Sequence, residues 1–207
     1  MSVPWQSARD ARGLLLVSGD PARVAAWVRR GLVACHVVPL GGWSAVVPAE
    51  LASRARPPYD DAVTVLASRP VAARLRPALG FWSLDGRAVA TVSPRGLRAG
   101  QRWLVWQPGE GPLDTPGLAL ARPGDLAAAA GRQVSRAEVA AVVSQARGDA
   151  GSMLVHLMQV LAVPGADLLD GLPAGSGDPV EPSAKAVGRF ESRVAEEARH
   201  RAEMEGL

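Results

Sequence analysis

The chain has 207 residues, 48% of them hydrophobic, with 23 Lys/Arg against 20 Asp/Glu. That is enough apolar material for a core without disulfide staples. The single cysteine, Cys35, excludes an intramolecular disulfide and points to a reducing, cytoplasmic setting. No apolar run reaches the roughly 18–20 residues of a membrane span, and the start Met1-Ser2-Val3-Pro4-Trp5-Gln6 does not read as a secretory signal.

Charge is unevenly spread. Residues 1–124 carry 15 Lys/Arg, 8 Asp/Glu and all six tryptophans, whereas residues 125–207 carry 8 Lys/Arg and 12 Asp/Glu. The first half is therefore basic and aromatic, the second mildly acidic.

In chain order, Gly13–Ser18 is a continuous apolar run, which predicts a strand that is central or buried on both faces. Asp20-Pro21 supplies an N-cap and a proline at the first helical position. Val24, Trp27, Val28 and Leu32 then share one helical face. Val33–Leu40 and Trp43–Val47 flank Gly41-Gly42, a two-residue hairpin signal. The same order recurs after the Pro-rich connection Ala55-Arg56-Pro57-Pro58. Ala62–Leu66 predicts a strand, Pro70 opens a helix, and Phe81–Leu84 and Ala88–Val92 flank Asp85-Gly86. Trp103–Trp106 predicts one more strand, and Leu118–Leu120 another.

Beyond residue 123 the pattern turns helical. Asp125–Gly131 is Ala-rich, and Ser135 with Glu138 forms a capping box opening a helix to about Arg147. Asp149–Val163 predicts a second helix, ended by Pro164-Gly165. Leu172–Pro182 has the composition of a flexible linker. Ser183 caps a terminal helix whose apolar seam is Val187, Phe190, Val194 and Ala198.

The expected fold class is α+β. Duplicated βαββ(β) units, about 13–48 and 62–106, would form a pseudo-symmetric, mostly antiparallel sheet with two covering helices. A helical hairpin and a tethered C-terminal helix would follow. The expected divisions are a sheet domain over 1–123, a hairpin over 124–171, a linker over 172–182 and an amphipathic helix over 183–207.

The usual chemical constellations are missing. Cys35 and His36 are neighbours on a predicted strand and point to opposite faces, and no CxxC, HExxH or HxxxH spacing exists. The expectation is no metal and no cofactor, with Cys35 a buried small hydrophobe and His36 an ordinary strand residue. Ser44 lacks the second glycine of a nucleophile elbow. No phosphate-cradling glycine loop is present, and Asp60-Asp61 reads as a solvated strand entry. In outline, residues 13–106 are similar to the vicinal oxygen chelate enzymes, which pair such modules around a metal. That resemblance implies His and Glu ligands, which strands 13–18, 63–67 and 87–93 do not offer. A duplicated ACT-like or ferredoxin-like sheet matches the outline equally.

Three functional expectations follow. The leading one is a non-enzymatic interaction or regulatory protein, in which Val187, Phe190 and Val194 of the terminal helix dock on a protein partner or in a homo-oligomer. The second is nucleic-acid binding through Arg95, Arg98 and Arg102, beside Trp103 and Trp106. The third is a small-molecule pocket between the two modules. The balanced charge of the terminal helix argues against a membrane surface. The acidic second half could also fold over and mask the basic first half.

Overall fold

The computed structural model describes residues 11–96, 100–131, 133–173 and 176–205. Seven strands form one antiparallel sheet: β1 (Arg12–Val17), β2 (Cys35–Leu40), β3 (Trp43–Pro48), β4 (Ala78–Leu84), β5 (Arg87–Ser93), β6 (Arg102–Gln107) and β7 (Gly111–Leu113), in the order β2-β3-β1-β4-β5-β6-β7. The helices are α1 (Pro21–Val28), α2 (Ala62–Ser68), α3 (Pro123–Ala130), α4 (Arg136–Ser144), α5 (Ala150–Val160) and α6 (Ala184–Glu205). The chain is thus α+β with an antiparallel sheet and a C-terminal helix.

Alternation along the strands builds two cores. Leu14, Leu16, Leu79, Phe81, Leu104 and Trp106 face α3, α4 and α5. Leu15, Val17, Trp82, Val89, Trp103 and Val105 face α1 and α2. Both faces of the sheet are covered, so its strands read as unbroken apolar runs. β1 sits between β3 and β4, which accounts for the apolar run that opens the described chain.

Local signals set the turns as expected. Gly41 and Gly42 take φ of 44° and 89°, and Asp85 and Gly86 take 52° and 70°, the positive-φ pairs of tight hairpins. Asp20 caps α1, its carboxylate accepting from the Ala22 and Arg23 amides. Ser135 caps α4 and Asp149 caps α5. The amide of Ser152 bonds the Asp149 carboxylate and holds it below the usual carboxylate range.

The second unit departs from the first at two elements. Residues 62–66, expected as a strand, lie within α2. Asp61 caps this helix by accepting from the Thr64 amide at 2.6 Å, and Ala62, Val63, Leu66 and Ala67 share its buried face. That spacing is helical, and β6 already occupies the place beside β5 that a repeat of β1 beside β3 would need. The helix expected from Pro70 is a single 3-10 turn, Ala73–Leu75, closed by Pro77. With no strand at 62–66, the paired-module outline shared with the vicinal oxygen chelate enzymes does not extend to the second unit. Leu118–Leu120 contributes one isolated bridge, Leu120 to Trp103.

Candidate interaction surfaces

The C-terminal segment is latched to the body before α6 begins. Val180 forms a two-bond backbone bridge with Cys35 on the edge strand β2, at 3.2 and 2.8 Å. Arg54 then holds two carboxylates. Its guanidinium donates to Glu181 at 3.1 Å and to Glu50 at 2.7 Å. These bonds raise the Arg54 pKa, and the bond from Arg54 holds Glu50 below the usual range. The Ser183 amide donates to the Arg29 carbonyl at 2.8 Å, and its hydroxyl accepts from the Ala186 amide at 3.2 Å, capping α6. The part of Leu172–Pro182 nearest α6 is therefore fastened through a strand edge and an ion-pair network. The strap also covers one end of an edge strand that Pro39 blunts at the other.

The first half of α6 packs on the chain's own body. Ala186 is buried and Val187, Phe190 and Val194 are half-buried. The Phe190 ring meets Tyr59 edge-on, with centroids 5.0 Å apart and planes at 89°. Glu191 lies 3.8 Å from Arg56. The three residues expected to reach a partner thus sit on the side of α6 that meets the 49–61 loop. From Ala195 to Met204 every residue is exposed, Met204 at 65%.

The arginine turn is rearranged by tertiary contacts. Arg95 is exposed, Arg98 lies outside the described residues, and Arg102 is ion-paired with Asp125 of α3. Trp103 and Trp106 are 7% and 0% exposed and belong to opposite cores, so neither offers a surface for stacking a base. Both lie under helices that cover the two faces of the sheet.

Cys35 is fully buried among the residues facing α1 and α2. Desolvation pushes its thiol up to about 12, against the opposing pull of Arg69. Arg69 stacks over the Trp27 ring at 3.7 Å from its centroid and donates to the Trp27 carbonyl at 2.5 Å. Burial lowers its pKa to about 10, still protonated at neutral pH. The buried neutral thiol gives an alkaline prediction. Its folded pKa is raised, so the stability it contributes is present below pH 9 and is lost as pH rises toward about 12. The loss is on the order of 4 kcal/mol for three pKa units. Urea unfolding across that window should show wild type losing more stability than Cys35→Ala. Parallel curves would refute the assignment.

A cleft of about 510 Å³ is lined by Arg12, His36, Glu50, Leu51, Asp170 and Ser176 among others. Arg12 and Asp170 close one rim through an ion pair at 2.8 Å. The cleft lies between the first unit and the segment leading to the strap. The β1–β4 junction between the units is filled by Leu14, Phe81 and Trp82. No group of three His, Cys, Asp or Glu side chains is placed to hold a metal ion among the described residues. No described helix is long and apolar enough to cross a membrane.

No family model, curated protein or solved structure matches this chain.

Sequence reading singled out the seam of α6 but missed its latch. A signal existed in Pro179-Val180-Glu181-Pro182, where one β-branched and one acidic residue interrupt a loop composition. It also missed the arginines that tertiary contacts gather around Arg95.

Proposed function

We propose that the chain is a non-enzymatic interaction protein that self-associates through the projecting half of α6. One observation carries the reading: a 22-residue helix is latched and docked along its first half and exposed along its second. At 1.5 Å per residue α6 is roughly 33 Å long, and its exposed part reaches about 15 Å beyond the last docked residue. Ten helical residues without tertiary support are marginal in water, so a partner would supply the missing contact.

A second copy suits this segment. Glu196, Glu197 and Glu203 flank Arg199 and Arg201 on both sides, so an antiparallel copy can set carboxylates against guanidinium groups. Ala195, Ala198 and Ala202 let two helices approach closely. The half-buried Val187, Phe190 and Val194 act as the anchor that aims the helix.

The test is removal of residues 195–207, which leaves the strap, the Ser183 cap and the Phe190–Tyr59 contact in place. A cut near residue 175 would also delete Val180 and Glu181 and so disturb the body. Light scattering at high micromolar concentration should give a dimer for the full chain and a monomer for the shortened one. Equal masses for the two chains would defeat the reading.

A further inference from the structure

Between Ala62 and Gly109 the sequence contains seven arginines and one carboxylate, Asp85. The fold separates them. Asp85 and Arg87 lie at the β4–β5 turn, at one end of the strands. At the other end β4 begins, β5 finishes and β6 begins, and there arginines gather in a row. Arg74 is exposed on the 3-10 turn. Arg76 donates from Nε to the Val71 carbonyl at 2.9 Å and from Nη1 to the Gly96 carbonyl at 3.1 Å. That second bond brings Arg95 beside the turn.

The row continues past β6. Arg102 reaches Asp125, whose other oxygen accepts from the Arg122 amide at 2.8 Å. Arg122 is therefore adjacent. The side chain of Arg136 lies over Gly124, where a Cβ would stand 3.4 Å from its Cδ. Six arginines from the β4 entry, the β5–β6 loop and the starts of α3 and α4 thus follow one sheet end. Asp125 neutralises one of them. Arg74, Arg95, Arg122 and Arg136 are exposed and have no carboxylate partner among the described residues; Asp114 and Glu138, the nearby acids in sequence, form no ion pair there.

We infer that this row binds the sugar–phosphate backbone of a nucleic acid. Guanidinium groups suit phosphate through paired N–H donors. Neighbouring strands are about 5 Å apart, so the step from β4 to β6 spans about 10 Å, enough for successive phosphates. Trp103 and Trp106 are buried, so neither adds a stacked base to the row, and the contact reads backbone rather than sequence. The described contacts of α6 involve residues 29, 56 and 59, at the opposite strand ends, so α6 does not mask the row.

The experiment is fluorescence anisotropy on the full chain with labelled single-stranded DNA, single-stranded RNA of the same sequence, and a DNA duplex. Four phosphate contacts predict that a fourfold rise in salt weakens single-strand binding about fifty-fold. The combined variant Arg74→Gln, Arg95→Gln, Arg122→Gln and Arg136→Gln should lose affinity at least about tenfold and flatten that dependence. Its circular dichroism melt should match wild type, since these side chains are exposed. Arg189→Gln with Arg193→Gln on α6, both exposed and outside residues 195–207, should bind normally. Three results would overturn the inference: no binding of any probe at low salt, equal loss in the α6 variant, or poly-glutamate competing as well as unlabelled oligonucleotide. The last would assign the row to acidic protein. Removal of residues 195–207 should leave binding intact, which separates this site from the self-association surface.

Discussion

Replacing Trp82 with alanine is expected to lower unfolding free energy by about 4 kcal/mol, the cost of truncating a fully buried tryptophan. Trp82 is 0% exposed at the centre of the sheet, facing α1 and α2. Its indole lies over Gly80, two residues earlier on the same face. Its Nε1 donates to the Thr91 hydroxyl at 3.4 Å, and Thr91 is the cross-strand partner of Gly80. A Cβ on Gly80 would stand 2.4 Å from that Nε1 and 2.3 Å from the Thr91 Oγ1. Gly80 is glycine because the ring and the Thr91 hydroxyl together fill the space a Cβ would take. Gly80→Ala should therefore destabilise wild type by about 1–3 kcal/mol through overpacking. In a Trp82→Leu background the same substitution should cost less, the Thr91 hydroxyl then being the one obstacle left and free to rotate. Urea unfolding of the four chains measures the coupling, and additive costs would show that the ring does not rest on Gly80.

Gly13→Ala is the second large effect. Gly13 pairs with Trp82 across β1 and β4 and holds φ at 142°, a region L side chains avoid. A Cβ there would stand 2.1 Å from the Phe81 carbonyl oxygen and 2.8 Å from the Trp82 Cα. Both obstacles are backbone atoms in the central strand pair and neither can rotate away. The expected loss is about 3 kcal/mol or more, from strain and separation of the pair together. Gly19→Ala provides the contrast. Its Cβ would meet the Leu75 Cδ2 at 2.8 Å, the far end of a flexible side chain, so the cost should be near 1 kcal/mol. Denaturant midpoints for both variants decide the point, and equal losses would show that the Gly13 crowding is relieved by a small shift of β1.

Much of the fold was readable from local chemistry, and the failures have a common cause. Asp20-Pro21, Gly41-Gly42, Asp85-Gly86 and Ser135 each specify a cap or a turn through neighbours within three residues, and each formed where expected. Ala62–Leu66 did not. Ala-Val-Thr-Val-Leu suits a strand by side-chain type, yet the Asp61 cap and a buried face repeating at helical spacing made it α2. A short apolar run leaves strand and buried helix open, and packing of that face against the sheet settled it.

The candidate surfaces divide in the same way. The α6 seam repeats within one helix and was visible as a pattern. What Phe190 and Glu191 touch was not, because Tyr59 and Arg56 lie more than 130 residues earlier. Of the expected arginine site, Arg95 stayed exposed and Arg102 acquired Asp125. Arg74, Arg122 and Arg136 joined from elements that composition alone cannot place side by side.

The caps at Asp20 and Ser135, the two hairpin turns and the basic bias of the first half depend on neighbours close in the chain, and residue order alone settles them. The strand order β2-β3-β1-β4-β5-β6-β7, the covering of both sheet faces, the latch through Val180 and Arg54, and the arginine row depend on residues tens to more than a hundred positions apart. Such contacts form when burying the two cores selects one arrangement of elements over the others, and that selection is a property of the whole packed chain.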